Sequence, residues 1–335
     1  MSELNSLVMK ILSPGKGILA ADESTGTMTK RLDDVNVKSS QENRLKFRHT
    51  LFTSEKMRTG IGGVILYEET IKQEFNGQSI PDILKEFGSV PGIKVDTGAK
   101  NLAGSKNEKI TEGLDGLRER LKDYYKLGAR FTKWRGVYNI SEGCPSNLAI
   151  KSNAHALARY ASLVQESGMV PIVEPEVLME GNHSEKTCFE STSKVLDECF
   201  RELILNKVDL SGIILKPNMI LPGNMSKIEL TSEEIAKLTI KCLKNSVPEQ
   251  VPGITFLSGG QTEKGATANL NLINKLNSTN FIMSFSYGRA LQQNALKYWS
   301  NNIEDVQGTQ KVFNHRVEMC SLASTGNWDM SLEQN

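Results

Sequence analysis

Eight short runs of branched apolar residues recur along the chain, and their number is the feature that most constrains the fold. They are GILAAD (17–22), IGGVILY (61–67), PGIKVD (91–96), ARFTKWR (129–135), VPIVEPE (170–176), SGIILKPN (211–218), GITFLSGG (253–260) and FIMSFSYGR (281–289). Nearly continuous apolar runs indicate strands that are buried on both faces, which is typical of a parallel sheet enclosed by helices. Because eight parallel strands can close without leaving an edge, the sequence predicts an α/β fold, a (β/α)8 TIM barrel.

Between the runs the apolar period becomes helical. Residues 154–161 carry apolar side chains at i, i+3, i+4 and i+7, and Gly168 is the expected C-terminal stop. Thr231 and Glu234 form a capping-box pattern that predicts the start of another helix. A helix is therefore expected after each strand.

A doubly wound open sheet is the alternative architecture. It predicts a glycine-rich nucleotide or phosphate fingerprint after an early strand, and neither G-x-G-x-x-G nor G-x-x-x-x-G-K-[ST] occurs. We therefore expect residues 1–335 to form a single barrel domain with short N-terminal and C-terminal extensions.

Charge and cysteine content exclude several classes of protein. The 40 basic and 39 acidic residues give a net charge of +1, which offers no global attraction for nucleic acid or an anionic membrane. The five cysteines are odd in number and lack Cys-x-x-Cys spacing, so neither a disulfide framework nor a zinc knuckle is indicated. No segment approaches the roughly 20 apolar residues of a membrane span. The expectation is a cytoplasmic protein without nucleic-acid or membrane partners.

Charged side chains stand at or near the ends of the apolar runs. Active sites of (β/α)8 enzymes lie at the C-terminal ends of the strands, and a charge near a barrel interior is costly unless it is paired. Taken singly, each such residue is equally well explained as a solvated strand end or a structural ion pair. Together they predict a site at this end of the barrel; they are Asp22, Lys94, Lys133, Arg135, Glu174, Glu176, Lys216 and Arg289, with Ser258 in the seventh run.

Lys216 gives the sharpest single signal, because it directly follows three buried apolar residues in IILKPN. Burial and a second cation such as Lys133 both favour the neutral amine, which attacks a carbonyl to form a Schiff base. A lysine paired to Glu174 or Glu176 for structural reasons is the alternative. The pattern does not decide which lysine is the nucleophile.

Glu174 and Glu176 are spaced i and i+2, so they project from the same face of an extended strand, with Pro175 pointing away. Paired carboxylates can divide their roles, one being held partly protonated as a general acid while the other stays ionised beside a lysine. Alternatively, both merely neutralise nearby lysines.

Two groups of residues are candidates for binding anions. Glycines allow backbone N–H groups to approach a phosphate, and phosphate sites recur after the seventh and eighth strands of barrels. The first group lies there, as Ser258, Gly259, Gly288 and Arg289. The second combines small hydroxyls with cations, namely Ser24, Thr27, Arg31, Lys94 and Arg135. A helix N-cap at Ser24 or Thr25 is the simpler explanation for that turn.

No metal and no other cofactor is expected. A zinc-dependent enzyme would need several imidazole ligands at its site. The four histidines lie outside the eight runs, at His49, His155, His183 and His315.

The segments LAADESTG, GIKVD, KWR, PIVEPE, ILKPN, GITFLSGGQ and SYGRAL, from residue 19 to residue 291, occur in one order at the predicted strand ends. In these motifs the chain resembles class I fructose-bisphosphate aldolase. The resemblance implies that Lys216 is the Schiff-base lysine and Glu174 the acid and base of carbinolamine chemistry. It further implies that Glu176 orients the lysines, Asp22 handles the proton of the C4 hydroxyl, and Lys133 polarises substrate hydroxyls.

The same resemblance assigns the two anion groups. Ser258, Gly259, Gly288 and Arg289 would bind the C1 phosphate of a sugar bisphosphate. The C6 phosphate would lie at the second group, where Ser24, Thr27 and Lys94 are contacts and Arg31 and Arg135 line that side. Fructose 1-phosphate and sedoheptulose 1,7-bisphosphate remain rival substrates.

The resemblance also implies a cytoplasmic enzyme of glycolysis and gluconeogenesis that forms a homotetramer, with Asp115 similar to a family interface residue, and that can associate with the cytoskeleton. A binding or scaffolding protein that kept the fold is the rival from another class. Family members end in a tyrosine that assists proton exchange, whereas the last tyrosine here is Tyr298. Either the family's tail is missing from this sequence, or the exchange is expected to be slower or to follow another route.

Overall fold

Eight parallel strands close into a barrel in which each strand pairs with the next along the chain and β8 pairs with β1. The structure is a computed structural model that describes residues 2–334. The strands are β1 Gly17–Ala21, β2 Ile61–Leu66, β3 Val90–Lys94, β4 Phe131–Tyr138, β5 Val170–Val177, β6 Ile214–Leu215, β7 Gly253–Phe256 and β8 Ile282–Tyr287. Every predicted run contributes one strand, which confirms the (β/α)8 barrel.

Helices surround the barrel and bury their apolar faces against it. In order, they are α1 Glu3–Ile11, α2 Thr25–Asp33, α3 Gln41–Phe52, α4 Met57–Gly60, α5 Glu68–Ile71, α6 Ile80–Glu86, α7 Leu117–Lys126, α8 Asn147–Glu166, α9 Glu185–Leu205, α10 Ser232–Ser246, α11 Glu263–Leu276, α12 Arg289–Asn301 and α13 Val306–Ala323. The capping box of Thr231 and Glu234 is present at the start of α10, and Gly168, with φ of 72°, follows the end of α8. Both sequence predictions are therefore confirmed.

Lys216 lies just beyond the shortest barrel strand, β6. Its backbone N–H still donates to the carbonyl of Val173, at 2.8 Å, so the hydrogen bonding to β5 continues past Leu215. Pro217 has no N–H to donate, and the chain leaves the strand there. This ladder places Lys216 beside Glu174, the residue that follows Val173 in β5.

The N-terminal end of the barrel is closed by α1. Val8, Ile11 and Leu12 are buried and join the apolar side chains that fill the lower half of the barrel. A Cβ added to Gly62 of β2 would lie 1.8 Å from the carbonyl oxygen of Ile11, so only glycine permits this close approach. The interior below the charged residues is therefore a packed apolar floor.

Two small antiparallel hairpins interrupt the βα alternation. Strands Glu74–Phe75 and Gln78–Ser79 form one, and strands Gly98–Asn101 and Lys109–Glu112, between β3 and α7, form the other. Two 3-10 turns, Leu210–Gly212 and Met330–Gln334, complete the described elements. None of the helices found in residues 2–334 is long and apolar enough to cross a bilayer.

Candidate active site

A cavity of about 580 Å3 opens at the C-terminal ends of the barrel strands. All of the residues that the sequence predicted for the site line it. They are Asp22, Ser24, Thr27, Arg31, Lys94, Lys133, Arg135, Glu174, Glu176, Lys216, Ser258, Gly259, Gly288 and Arg289. Because these residues come from seven different strand ends, only closure of the barrel brings them together.

Opposite charges alternate along a buried row at the bottom of this cavity. Glu174 Oε1 lies 3.2 Å from Lys216 Nζ, and Glu174 Oε2 lies 3.4 Å from Lys133 Nζ. Lys133 Nζ also contacts Asp22 Oδ2 at 2.6 Å. Lys216 and Glu174 are each only 3% exposed, and such charges are tolerated in a barrel because each has a partner of opposite sign.

The neighbouring cations keep the two carboxylates ionised. Burial acts to raise the pKa of Asp22, but Lys133 and Lys216 outweigh it and hold this pKa at about 2. Burial likewise opposes the charge on Glu174, yet Lys133, Lys216 and Arg135 together lower its pKa below the usual value. These cations therefore favour the carboxylate form of Glu174.

Lys133 is the cation between these carboxylates. Burial would lower its pKa, but Asp22 and Glu174 raise it above the usual lysine value. These carboxylates therefore favour the ammonium form of Lys133, which donates hydrogen bonds and is not nucleophilic.

Glu176 has a different partner from the one expected. Its carboxylate forms an ion pair with the guanidinium of Arg135 on β4. Within the described residues no lysine lies within ion-pair distance of Glu176, so of the two glutamates only Glu174 contacts Lys133 and Lys216. Both glutamates do project into the cavity, as their i, i+2 spacing predicted.

The loops after β7 and β8 form the first anion group. Gly259 has φ of 49°, in the left-handed region that favours glycine, and a Cβ there would lie 2.6 Å from Leu257 Cδ1. Gly288 is the N-cap of α12, and the exposed Arg289 is its first residue. Free backbone N–H groups at a helix start attract anions, so this end of the cavity suits a phosphate.

In the second anion group, Ser24 and Arg31 already have partners within the protein. Ser24 is the N-cap of α2, accepting from the backbone N–H of Thr27 at 3.3 Å, so the capping interpretation is confirmed. Arg31 pairs with Glu23 at 2.5 Å. A Cβ on Gly288 would lie 3.9 Å from Arg31 Nη2, so this guanidinium lies nearer the first anion group than the sequence prediction implied.

Several cavity residues were not predicted from the sequence. Glu23, Asp96, Arg120 and Ser286 all line the cavity. Asp96 follows Lys94 by two residues, so the same alternation that found the glutamates could have found it. Arg120 comes from α7, where no strand-end signal marks it. Among residues 2–334 no group of three or more His, Cys, Asp or Glu side chains is arranged to hold a metal ion.

Comparison with known proteins assigns the family. The family description "Fructose-bisphosphate aldolase class-I" matches residues 3–335. A "Probable fructose-bisphosphate aldolase class 1" of Xanthomonas campestris pv. campestris is 46% identical over 98% of this chain and 99% of its own. "Fructose-bisphosphate aldolase 4, cytosolic" of Arabidopsis thaliana is 48% identical over 97% of this chain and 84% of its own. The solved Plasmodium falciparum fructose-bisphosphate aldolase, in complex with TRAP and a small molecule inhibitor, superimposes with a TM-score of 0.96 at 44% identity, covering 98% of this chain and 95% of that one. The chain belongs to the class-I fructose-bisphosphate aldolase family.

Proposed function

We propose that this protein reversibly cleaves fructose 1,6-bisphosphate to dihydroxyacetone phosphate and glyceraldehyde 3-phosphate through a Schiff base on Lys216, in glycolysis and gluconeogenesis. The observation that carries the proposal is the buried Lys216–Glu174 contact of 3.2 Å beneath a cavity with cationic residues on its walls. An amine and a carboxyl group in contact are what Schiff-base formation requires, and the cations suit the two phosphates.

Schiff-base formation uses the Lys216–Glu174 pair. A proton passed from Lys216 to Glu174 converts the pair into a neutral amine and a carboxylic acid. The amine attacks the C2 ketone to give a carbinolamine, and Glu174 then protonates its hydroxyl so that water leaves. Although the neighbouring cations favour ionised Glu174, one proton transfer along the Lys216–Glu174 contact supplies the neutral amine and the carboxylic acid.

Carbon–carbon cleavage uses the Lys133–Asp22 pair. The iminium accepts the electron pair of the C3–C4 bond as that bond breaks, while Asp22 takes the proton from the C4 hydroxyl. Glyceraldehyde 3-phosphate is released, and an enamine remains on Lys216. Protonation of the enamine carbon and hydrolysis of the resulting iminium then release dihydroxyacetone phosphate.

Phosphate groups select the substrate in this proposal. Ser258, Gly259, Gly288 and Arg289 hold the C1 phosphate at the start of α12. The C6 phosphate lies toward Ser24, Thr27 and Lys94. Cations on two sides of the cavity favour a ketose with phosphates at both ends over one with a single phosphate.

Replacing Arg289 by Ala is expected to raise KM for fructose 1,6-bisphosphate by roughly 10- to 100-fold with a smaller change in kcat. A charged hydrogen bond to phosphate is worth about 1.5 to 3 kcal/mol and acts in the ground and transition states alike. Steady-state kinetics measure both constants. Lys297→Ala, which removes an exposed cation from the same helix, is the matched control; an Arg289 variant with the KM of this control would place the C1 phosphate elsewhere.

The proposed function is tested by assaying aldol cleavage of fructose 1,6-bisphosphate with and without excess EDTA. We expect equal rates, because the electron sink is an iminium on Lys216 and the described residues form no cluster of metal ligands. Parallel assays with fructose 1-phosphate and sedoheptulose 1,7-bisphosphate rank the three ketoses. Activity that is lost in EDTA and restored by zinc would overturn the mechanism, and cleavage of none of the ketoses would overturn the function.

We also propose that the enzyme acts in the cytoplasm as a homotetramer, with association to the cytoskeleton as a further role. Ile204 and Leu205, at the end of α9, are 60% and 70% exposed. A surface depression joins the following residue, Asn206, to Leu114 and Gly116 beside Asp115. This exposed apolar edge next to Asp115 supports an interface there.

A further inference from the structure

Arg120 reaches the active-site cavity from outside the barrel. It lies on α7, the helix that follows the Gly98–Glu112 hairpin segment, and its side chain lines the cavity. Its guanidinium donates to two backbone carbonyls, with Nη1 2.8 Å from the oxygen of Val95 and Nη2 in contact with that of Gly113. One side chain therefore ties the end of β3 to the end of the hairpin.

The first of these carbonyls belongs to the residue between Lys94 and Asp96. Lys94 Nζ contacts Asp96 Oδ1 at 2.6 Å and donates to the backbone oxygen of Asp96 at 2.8 Å. Asp96 Oδ1 also accepts from the N–H of Gly98 at 3.1 Å. Lys94 is the last residue of β3, so the barrel ladder holds its backbone, while Asp96 orients its ammonium group. Asp96 directly follows the Val95 carbonyl that Arg120 holds.

The second carbonyl, that of Gly113, follows the returning strand Lys109–Glu112. The hairpin is joined to the chain at Thr97, whose N–H donates to the oxygen of Glu112 at 2.9 Å, and Arg120 holds the next residue on the returning side. Without Arg120, the carbonyls of Val95 and Gly113, one on each side of this junction, would lose the hydrogen bonds that its guanidinium donates. The barrel strands are held by their own backbone hydrogen bonds. Removal of Arg120 should therefore affect only the part of the cavity wall after β3 and beside the hairpin.

We propose that Arg120 is a positioning residue that sets the preference for a phosphate at C6 of the ketose, by holding the segment after β3 that carries Asp96, the ion-pair partner of Lys94. This inference rests on the proposed function, and it goes beyond it by assigning part of the substrate selectivity to a helix outside the barrel. It implies that substrates with and without a C6 phosphate respond differently to changes at Arg120.

The test compares kcat/KM for fructose 1,6-bisphosphate and fructose 1-phosphate in the wild type, Arg120→Met and Arg120→Lys. For Arg120→Met we expect kcat/KM for the bisphosphate to fall about tenfold or more, mainly through KM, because a displaced Lys94 loses much of a charged hydrogen bond to phosphate. The value for fructose 1-phosphate should stay within about twofold, which also shows that the variant is folded. For Arg120→Lys, kcat/KM for the bisphosphate should lie between the values of the wild type and Arg120→Met. One ammonium group cannot bind two separate carbonyls as the forked guanidinium does.

Arg118→Met is the matched control, because Arg118 lies on the same helix and pairs with Glu166 on the surface at 2.7 Å. It should leave the ratio of the two kcat/KM values unchanged. An unchanged ratio in Arg120→Met, or full recovery in Arg120→Lys, would overturn the positioning role while leaving the proposed function intact. A wild-type protein that cleaves neither ketose would instead overturn the proposed function on which the inference rests.

Discussion

Replacing Lys216 by Met is expected to lower the cleavage rate by at least about 10⁴-fold, because removal of a covalent nucleophile leaves only binding and residual polarisation. Borohydride reduction in the presence of substrate should trap one adduct per active chain in the wild type and none in this variant. Mass spectrometry of proteolytic fragments locates the adduct. Methionine has a similar length and no charge, so the variant removes the amine with little change in packing.

Two control variants separate the nucleophile from its neighbours. Lys227→Met, on an exposed loop, should trap and turn over like the wild type. Lys133→Met should turn over slowly yet still give the adduct on Lys216, since Lys133 is held as an ammonium group by Asp22 and Glu174. An adduct mapped to Lys133 in the wild type would contradict the assignment of the nucleophile.

Replacing Asp22 by Asn is expected to reduce kcat by about 10² to 10⁴, the usual contribution of general acid–base assistance, while trapping on Lys216 persists. Trapping and cleavage should respond differently to this change because Lys216 contacts Glu174, whereas Asp22 contacts Lys133. Single-turnover measurements of Schiff-base formation and of aldehyde release distinguish the two steps. Asp34→Asn, an exposed change at the end of α2, is the control. Equal loss of trapping and cleavage would assign Asp22 to Schiff-base formation instead.

The pH dependence of Asp22 has a definite sign. Its pKa in the folded protein is about 2, below the ordinary value for an aspartate, so the carboxylate is fully present above about pH 4 and is lost only as the pH falls through 2. Asp22 therefore contributes no acidic limb to kcat/KM in the neutral range.

The barrel and many of the residues that line its cavity could be predicted because both depend on short-range patterns. Apolar runs locate strands, and charged residues that end such runs, like Asp22 and Lys216, are brought together once eight strands close. Strand lengths were less predictable. The run at 211–218 reduces to Ile214–Leu215, because Leu210–Gly212 forms a 3-10 turn and Pro217 cannot donate to the ladder.

Partners within the site were harder to predict than its members. Alternation placed Glu174 and Glu176 on one face, but which cation each one contacts depends on the stagger of neighbouring strands around the barrel. Arg135 stands opposite Glu174 in the register of β4 and β5, and yet its guanidinium pairs with Glu176. Arg120 was missed for a related reason, since its reach into the cavity depends on how α7 packs after the hairpin.

The apolar floor that α1 and the lower barrel side chains provide also determines where molecules enter and leave the site. With Val8, Ile11 and Leu12 sealing one end, molecules enter and leave at the end where the strands terminate. In the proposed reaction one fragment stays bonded to Lys216 after the carbon–carbon bond breaks, so the aldehyde must depart first through the shared opening. In the synthetic direction dihydroxyacetone phosphate must bind first, because the enamine that attacks the aldehyde forms only after the ketone has joined Lys216. The same opening then admits the aldehyde to a site that already holds its covalent partner.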